Sequence, residues 1–152
     1  MGLAISLSAN YQTEAEWTAA HQSDAEDQDL WAHEGPSFRI GYGGFNVFRH
    51  RLAASFAVDL DRMPGYETLG TTPTRDPENW AVFDDAPVAP LIPLFDHSDC
   101  DGFLEPTHTK GMASLIRTAA ALWPNDRFKE AATDLADLLE YSAEHDNLVI
   151  FH

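Results

Sequence analysis

The residue types best suited to chemistry are concentrated in one short acidic stretch, Asp96–Glu105 (DHSDCDGFLE). Oxygen-bearing side chains alternate along this stretch, and Gly102 follows them. The pattern is typical of calcium-binding loops, because alternate side chains converge on one point and the glycine permits a sharp turn. In an EF-hand frame that begins at His97, the ligands would be His97, Asp99, Asp101, the backbone carbonyl of Phe103, Glu105 and His108.

This frame departs from an EF-hand at both ends. Its first position is His97, a poor ligand for a hard cation, and its last is His108, where a bidentate glutamate is usual. Pro90 and Pro93 also occupy the place of the entering helix. The cofactor is therefore unknown, with a divalent cation, calcium, as one hypothesis. A transition metal held by imidazole and carboxylate groups is another hypothesis, and its ligands would be His97, Asp99, Asp101 and His108.

A third interpretation of the acidic stretch is purely structural. Aspartate side chains in tight turns often bond their own backbone amides. Such a turn would lead into a helix that begins near Lys110 and is capped by Thr107 or Thr109. The sequence leaves these three interpretations open.

A second polar group precedes the acidic stretch in the chain. We expect Arg49 and His50 to face Asp99 and Asp101 across a cleft, with Tyr42 at its rim. The arginine would then be either a structural clamp on a carboxylate or part of a pocket for a small polar ligand. The predicted pocket residues are Tyr42, Asn46, Arg49 and Asp96.

Catalytic motifs are absent from the sequence. Cys100 lies between Asp99 and Asp101, whose negative charges disfavour a reactive thiolate. The chain has neither an HExxH motif nor a serine in a GxSxG turn. The sequence therefore predicts no catalytic residues, and the interpretation leans away from an enzyme.

Composition predicts one acidic domain over residues 1–152. The hydrophobic fraction of 44% supports a core, and the formal net charge of −16 repels nucleic acids and anionic membranes. A protein partner with a basic surface fits this charge. A single cysteine, no apolar run of about 20 residues and no signal peptide together predict a cytoplasmic protein without a membrane segment.

Hydrophobic periodicity predicts an α+β fold. Strands are expected at Leu3–Ser8, Ser37–Tyr42 and Asn147–His152, with both terminal strands in one small sheet. Three to four helices would pack on one face of that sheet. One is predicted over Phe45–Ala57. A second begins near Lys110 and has its apolar face between Met112 and Trp123, and after a cap at Asn125 or Asp126 a third has its apolar face between Phe128 and Leu139.

The remaining segments predict little regular structure. The acidic stretch from Thr13 to Ala32 is either a helix that frays or a loop, and Trp17 and Trp31 are its main apolar anchors. Residues from Asp59 to Trp80 are predicted to form a long loop.

Three stretches together resemble a family of uncharacterised phage and bacterial proteins. They are the N-terminal MGLAIS, Gly41–Arg49 (GYGGFNVFR) and Pro93–Gly102 (PLFDHSDCDG). The resemblance covers most of the chain in order, and it implies a phage or mobile-element origin without implying an activity. The family continues past the glycine with a Ser-Pro-Glu-Glu-like sequence. Here Glu105-Pro106-Thr107-His108 stands in that place, so the last carboxylate ligand is lost.

Three functions follow as hypotheses. The first is a non-enzymatic acidic binding protein, which in a phage setting would inhibit a host defence protein in the host cytoplasm by imitating the charge of DNA. The second is a metal-binding protein or metal-dependent hydrolase that uses Asp99 and Asp101. The third is a sponge for a small signalling molecule, bound by Tyr42, Arg49 and the acidic stretch.

Overall fold

A computed structural model describes residues 2–9, 11–22, 30–32, 35–62, 83–97 and 102–152. Its strands form one four-stranded antiparallel sheet in the order β2-β1-β4-β3. The strands are β1 (Gly2–Leu7), β2 (Phe38–Gly41), β3 (Gly102–Leu104) and β4 (Val149–Phe151). The helices are α1 (Glu14–Gln22), α2 (Tyr42–Ala54), α3 (Ile92–Phe95), α4 (Pro106–Thr109), α5 (Met112–Ala120) and α6 (Arg127–His145). The predicted α+β class is confirmed.

The two terminal strands pair with each other at the centre of the sheet. Ile5 lies opposite Phe151 and Leu7 opposite Val149. Side chains alternate between the faces of a strand, so these four apolar residues share one face. The prediction that both ends of the chain join one sheet is confirmed.

The helices cover both faces of this sheet, so the prediction that they share one face is wrong. The inner face carries Ile5 and Phe151 in a large core with α2, α5 and α6. The outer face carries Ile150 and Phe103, which pack against Trp17 of α1 in a separate cluster. The physical reason is the run Leu148–Phe151, which is apolar at every position and therefore needs cover on both sides.

Helix α2 begins three residues before the predicted start at Phe45 and ends at Ala54 rather than Ala57. Its buried face consists of Phe45, Phe48 and Leu52, as the spacing predicts. Gly44 lies inside the first turn, where a Cβ would come within 3.0 Å of Ile40 Cγ1. The absence of a Cβ at Gly44 therefore allows the helix to pack closely on β2.

The predicted break between the last two helices is confirmed. Asp126 is the N-cap of α6, and its Oδ1 accepts hydrogen bonds from the amides of Phe128 (3.0 Å) and Lys129 (3.1 Å). Arg51 Nη1 donates to Asp126 Oδ2 at 2.9 Å and thereby joins α2 to this cap. The hydrogen bond from Arg51, with the two amides, lowers the pKa of Asp126 below its ordinary value.

Helix α5 forms where the sequence predicts a helix, but its N-cap differs from the prediction. It begins at Met112, and its N-cap is Gly111 (φ 84°), with no side-chain cap. Thr109 is buried at the end of α4, where its hydroxyl donates to the Pro106 carbonyl and contacts the Ser142 hydroxyl at 3.0 Å. The capping role predicted for Thr107 or Thr109 is therefore wrong, because the separate short helix α4 precedes α5.

Proline-rich residues 83–97 contain only short helical turns, the 3₁₀ turn Ala89–Leu91 and helix α3. Most of the loop predicted over 59–80 lies outside the described residues. Among the described helices, none combines the length and apolar character that bilayer crossing requires.

The aromatic core under α2 gives a first test. Phe48 is fully buried, with ring centroids of Phe38, Phe45 and Trp123 at 6.4, 6.3 and 5.8 Å. We expect Phe48→Ala to lower the free energy of unfolding by about 3–5 kcal/mol, because it removes apolar contacts and leaves a cavity. The neighbouring Val47 is half exposed, and Val47→Ala should change it by less than about 0.5 kcal/mol. Urea titrations followed by circular dichroism measure both. Equal effects would contradict this packing.

Candidate functional site

A buried arginine forms the centre of the first polar group. Arg49 is only 3% exposed, and its guanidinium lies 5.0 Å from the ring centroid of Phe45. Its Nη1 donates to the backbone carbonyls of Phe95 (3.2 Å) and His97. Its Nη2 is 3.4 Å from Asn46 Oδ1, one turn earlier on α2. The guanidinium therefore fixes the turn that follows α3 against α2.

That turn places two more polar side chains inside the protein. Asp96 and His97 are both fully buried. His97 Nε2 donates to the Phe103 carbonyl at 3.1 Å. The ring centroids of His97 and Phe151 are 3.8 Å apart. Residues 95–97 are thus held from α2 by Arg49 and from the sheet by His97.

The structure brings together part of the predicted pocket. Arg49, Asn46 and Asp96 lie around the turn, whereas the side chain of Tyr42 is outside the described set. His50 contacts different groups from Arg49, because its Nδ1 meets the Asn46 carbonyl (2.9 Å) and its Nε2 lies 3.3 Å from Asp61. The described contacts of Arg49 clamp two backbone carbonyls, and the clamp on a carboxylate stays a prediction. The predicted facing carboxylates, Asp99 and Asp101, fall within residues 98–101, outside the described residues.

The predicted metal ligands occupy several elements. Phe103 belongs to β3, His108 lies in α4, and Glu105 separates the two. Glu105 Oε1 accepts a hydrogen bond from the Glu14 amide at 3.3 Å. Among described residues, no three His, Cys, Asp or Glu side chains form a cluster that could hold a metal ion. With Asp99 and Asp101 undescribed, the calcium and transition-metal hypotheses stay predictions.

A second site, which the sequence analysis missed, lies on the outer face of the sheet. We call it the aromatic pocket; it is a recess of about 520 Å³ between α1, Trp31, β3 and β4. Its side chains are mostly rings, with one carboxylate at the edge. The lining residues used below are Glu14, Trp17, His21, Trp31, Phe103 and His152.

The rings of the aromatic pocket are inclined to one another. Trp17 is only 9% exposed, and its Nε1 donates to the Leu30 carbonyl at 3.4 Å. The ring centroid of Trp31 lies 5.7 Å from that of Trp17, with an angle of 65° between the ring planes. For Phe103 and Trp17 the centroid distance is 5.5 Å and the angle is 59°. His21 stacks parallel to Trp17 at 4.8 Å. Trp17 is therefore a fixed floor, with Trp31 and Phe103 as inclined walls.

His152 closes one side of this pocket. Its Nε2 lies 2.9 Å from the Ser6 hydroxyl, and its ring centroid is 4.8 Å from that of Trp31. Burial lowers the pKa of His152 below its ordinary value, and the positive charge of Arg39 lowers it further. The lowered pKa favours the neutral imidazole. A serine–histidine contact of this length also occurs in nucleophilic catalysis, where a third group orients the ring; within the described residues, no carboxylate takes that place.

Two features of the sequence could have indicated the aromatic pocket. One is the doubly apolar run Leu148–Phe151, which requires a second covered face. The other is the presence of Trp17 and Trp31 in an otherwise acidic stretch. Sequence spacing alone does not show that they meet, because α1 and Trp31 reach the sheet from opposite ends of that stretch.

Comparison with known proteins adds no relative to this description. A scan with protein-family models finds no match to the chain, and searches of curated proteins and of solved structures find none either.

The arginine clamp gives a second test. We expect Arg49→Lys to lower the free energy of unfolding by roughly 2–4 kcal/mol, because one ammonium group cannot reproduce the planar fork and buried carbonyls would lose their donors. The charge is unchanged, so the loss would report geometry. Arg127 is exposed, and Arg127→Lys is the matched control, with an expected change below about 0.5 kcal/mol. A tolerated Arg49→Lys would show that charge alone suffices.

Proposed function

We propose that this chain is a non-enzymatic binding protein that recognises a basic partner protein through the carboxylates of α6. Five exposed acidic side chains follow one side of this helix: Glu130, Asp134, Asp137, Glu140 and Glu144. We call them the acidic row. At 1.5 Å per residue it extends over about 21 Å. This row is the observation that carries the proposal.

The row retains most of its negative charge. Arg117 of α5 donates to Glu140 Oε1 (3.0 Å), Glu140 Oε2 (2.9 Å) and Asp137 Oδ1 (2.8 Å). These hydrogen bonds lower the pKa of Glu140 and raise that of Arg117. In the part of the chain that the structure describes, Glu130, Asp134 and Glu144 have no ion-pair partner. One arginine therefore compensates only a fraction of the row.

The helix beneath the row is held firmly. Its other side buries Leu135, Leu138 and Leu139 completely in the inner core. Charges on a rigid helix lose little conformational entropy on binding. A net charge of −16 also increases the rate of association with a cationic surface. Both properties support recognition of a folded basic surface.

The linear arrangement of the carboxylates along α6 indicates the class of partner. A duplex also presents negative charges along a stiff rod, so the surface of a nucleic-acid-binding protein is complementary to such a row. The proposed activity is competitive occupation of that surface. In a phage or mobile-element setting, the target would be a defence protein of the host.

A pair of charge-matched variants tests this proposal. The row variant carries Glu130→Gln, Asp134→Asn, Asp137→Asn and Glu144→Gln and keeps the Arg117–Glu140 pair. The control variant carries Glu16→Gln, Asp61→Asn, Asp84→Asn and Asp85→Asn, which are exposed residues elsewhere. We expect both to fold, because surface substitutions usually change stability by less than about 0.5 kcal/mol each.

The measurement is quantitative affinity capture from a bacterial lysate, with competition by double-stranded DNA and a salt series. The wild type and the control variant should capture the same basic proteins. We expect the row variant to capture at least about five-fold less of each, because close charge pairs are worth roughly 1 kcal/mol or more at an interface. DNA should displace them, and binding should weaken with salt. Equal capture by both variants would refute a role for α6, whatever the net charge contributes.

A further inference from the structure

The strongest feature outside the acidic row is the aromatic pocket, which lies on the opposite face of the sheet. Alternation along β4 places Val149 and Phe151 in the core beneath α6 and Ile150 in the outer cluster with Trp17. The pocket volume of about 520 Å³ falls within the range of small-molecule sites. A ligand here would not contact the acidic row.

The ring geometry selects the chemistry of that ligand. The face of an aromatic ring carries negative charge from its quadrupole. Trp17, Trp31 and Phe103 form a floor and two walls inclined by 59–65°. Inclined rings that line one recess can contact a rounded cation from different sides, and proteins recognise quaternary ammonium groups with aromatic rings placed in this way. Among the described rings of the pocket, Trp17 and His21 form the one parallel pair, and they are already stacked on each other, so they leave no space between them for a flat ligand.

The charges at the pocket favour a cation as well. Glu14 is exposed at its edge, and the Glu105 carboxylate lies beside the Glu14 amide. With Glu16, which accepts from the Gln12 amide, these carboxylates offset the positive end of α1. Burial favours the neutral imidazole of His152. The described lining contains no lysine or arginine; Arg39 acts on His152 from a different recess between β1 and β2, and the three carboxylates outnumber it.

We propose that the aromatic pocket binds a methylated ammonium group, with Trp17 as its floor, Trp31 and Phe103 as its walls and Glu14 as its counter-charge. A flexible primary ammonium would bind less well, because it is more strongly hydrated and loses hydrogen bonds to water inside a ring-lined recess. The trimethylammonium group combines apolar contact with positive charge, and both match this lining. The proposal is independent of the acidic row.

Choline and its neutral carbon analogue 3,3-dimethyl-1-butanol test the proposal directly, because they have the same shape and differ in charge. Binding is measured by tryptophan fluorescence and by the indole N–H signals in two-dimensional NMR. We expect choline to bind about five- to thirty-fold more tightly than the analogue, the range that cation–π contacts provide. Equal binding of the two, or no choline binding at about 10 mM, would overturn the proposal.

The source of the ammonium group is distinguished by a second pair of probes. A short peptide with trimethyl-lysine is compared with the same peptide carrying unmodified lysine. Preference for the methylated peptide over choline assigns the pocket to a protein side chain, and the reverse assigns it to a free metabolite-sized cation. Binding of both lysine peptides with equal affinity would show that charge alone attracts them and would overturn the proposal.

Variants locate the binding. We expect Trp31→Ala to weaken choline binding by about five-fold or more and Glu14→Gln by a smaller factor. Trp31→Phe, which keeps a ring, should recover part of the loss, and this distinguishes a binding role from a folding role. The row variant of α6 is the matched control and should bind choline with nearly wild-type affinity. Loss of choline binding in that variant, with Trp31→Ala unaffected, would place the site elsewhere and refute the proposal.

Discussion

The pairing of β1 with β4 is the constraint on which the remainder of the structure depends. These strands come from opposite ends of the chain, and they form the two central positions of the sheet. A central strand whose residues are all apolar must be buried on both faces, because each exposed side chain would forfeit roughly 1.5–3 kcal/mol of burial. Val149 and Phe151 complete the inner core, and Ile150 requires the outer cluster. The chain between the two strands therefore has to supply helices to both sides.

The two faces are covered in different ways. On the inner face, α2, α5 and α6 provide long apolar faces, and the remaining gap between α2 and the sheet is closed by the turn at residues 95–97. That turn has buried carbonyls, and buried polar groups need partners. Arg49 supplies donors to two of these carbonyls from one planar group. On the outer face, the nine-residue α1 covers only part of the sheet. The partial cover leaves aromatic rings in contact with one another around an open recess.

The sequence predicted the elements better than it predicted their assembly. Periodicity located β1, β4 and α2, and residue types limited the cap of α6 to Asn125 or Asp126, because each depends on neighbours within a few residues. It located α5 but not its N-cap, because the short helix α4 that precedes it depends on tertiary contacts such as that between Thr109 and Ser142. It also identified Arg49 as a special residue but did not predict the two backbone carbonyls that Arg49 binds, since backbone carbonyls carry no signature in a sequence. The aromatic pocket was missed because Trp17, Trp31 and Phe103 come from three separate segments, which only the fold brings together.

The negative charge of the protein contributes differently to binding at the two proposed sites. Charges along α6 are exposed to water, so their attraction extends over a Debye length of about 8 Å at physiological salt and is largely screened beyond it. Recognition there depends on several charges acting together, and no single carboxylate decides it. In the aromatic pocket the rings act only at contact, and salt screens them little. The net charge of −16 raises the local concentration of every cation, but only the inclined rings distinguish a methylated ammonium from a sodium ion or a lysine. Selectivity at this face therefore resides in Trp17, Trp31 and Phe103, and the surrounding carboxylates contribute affinity.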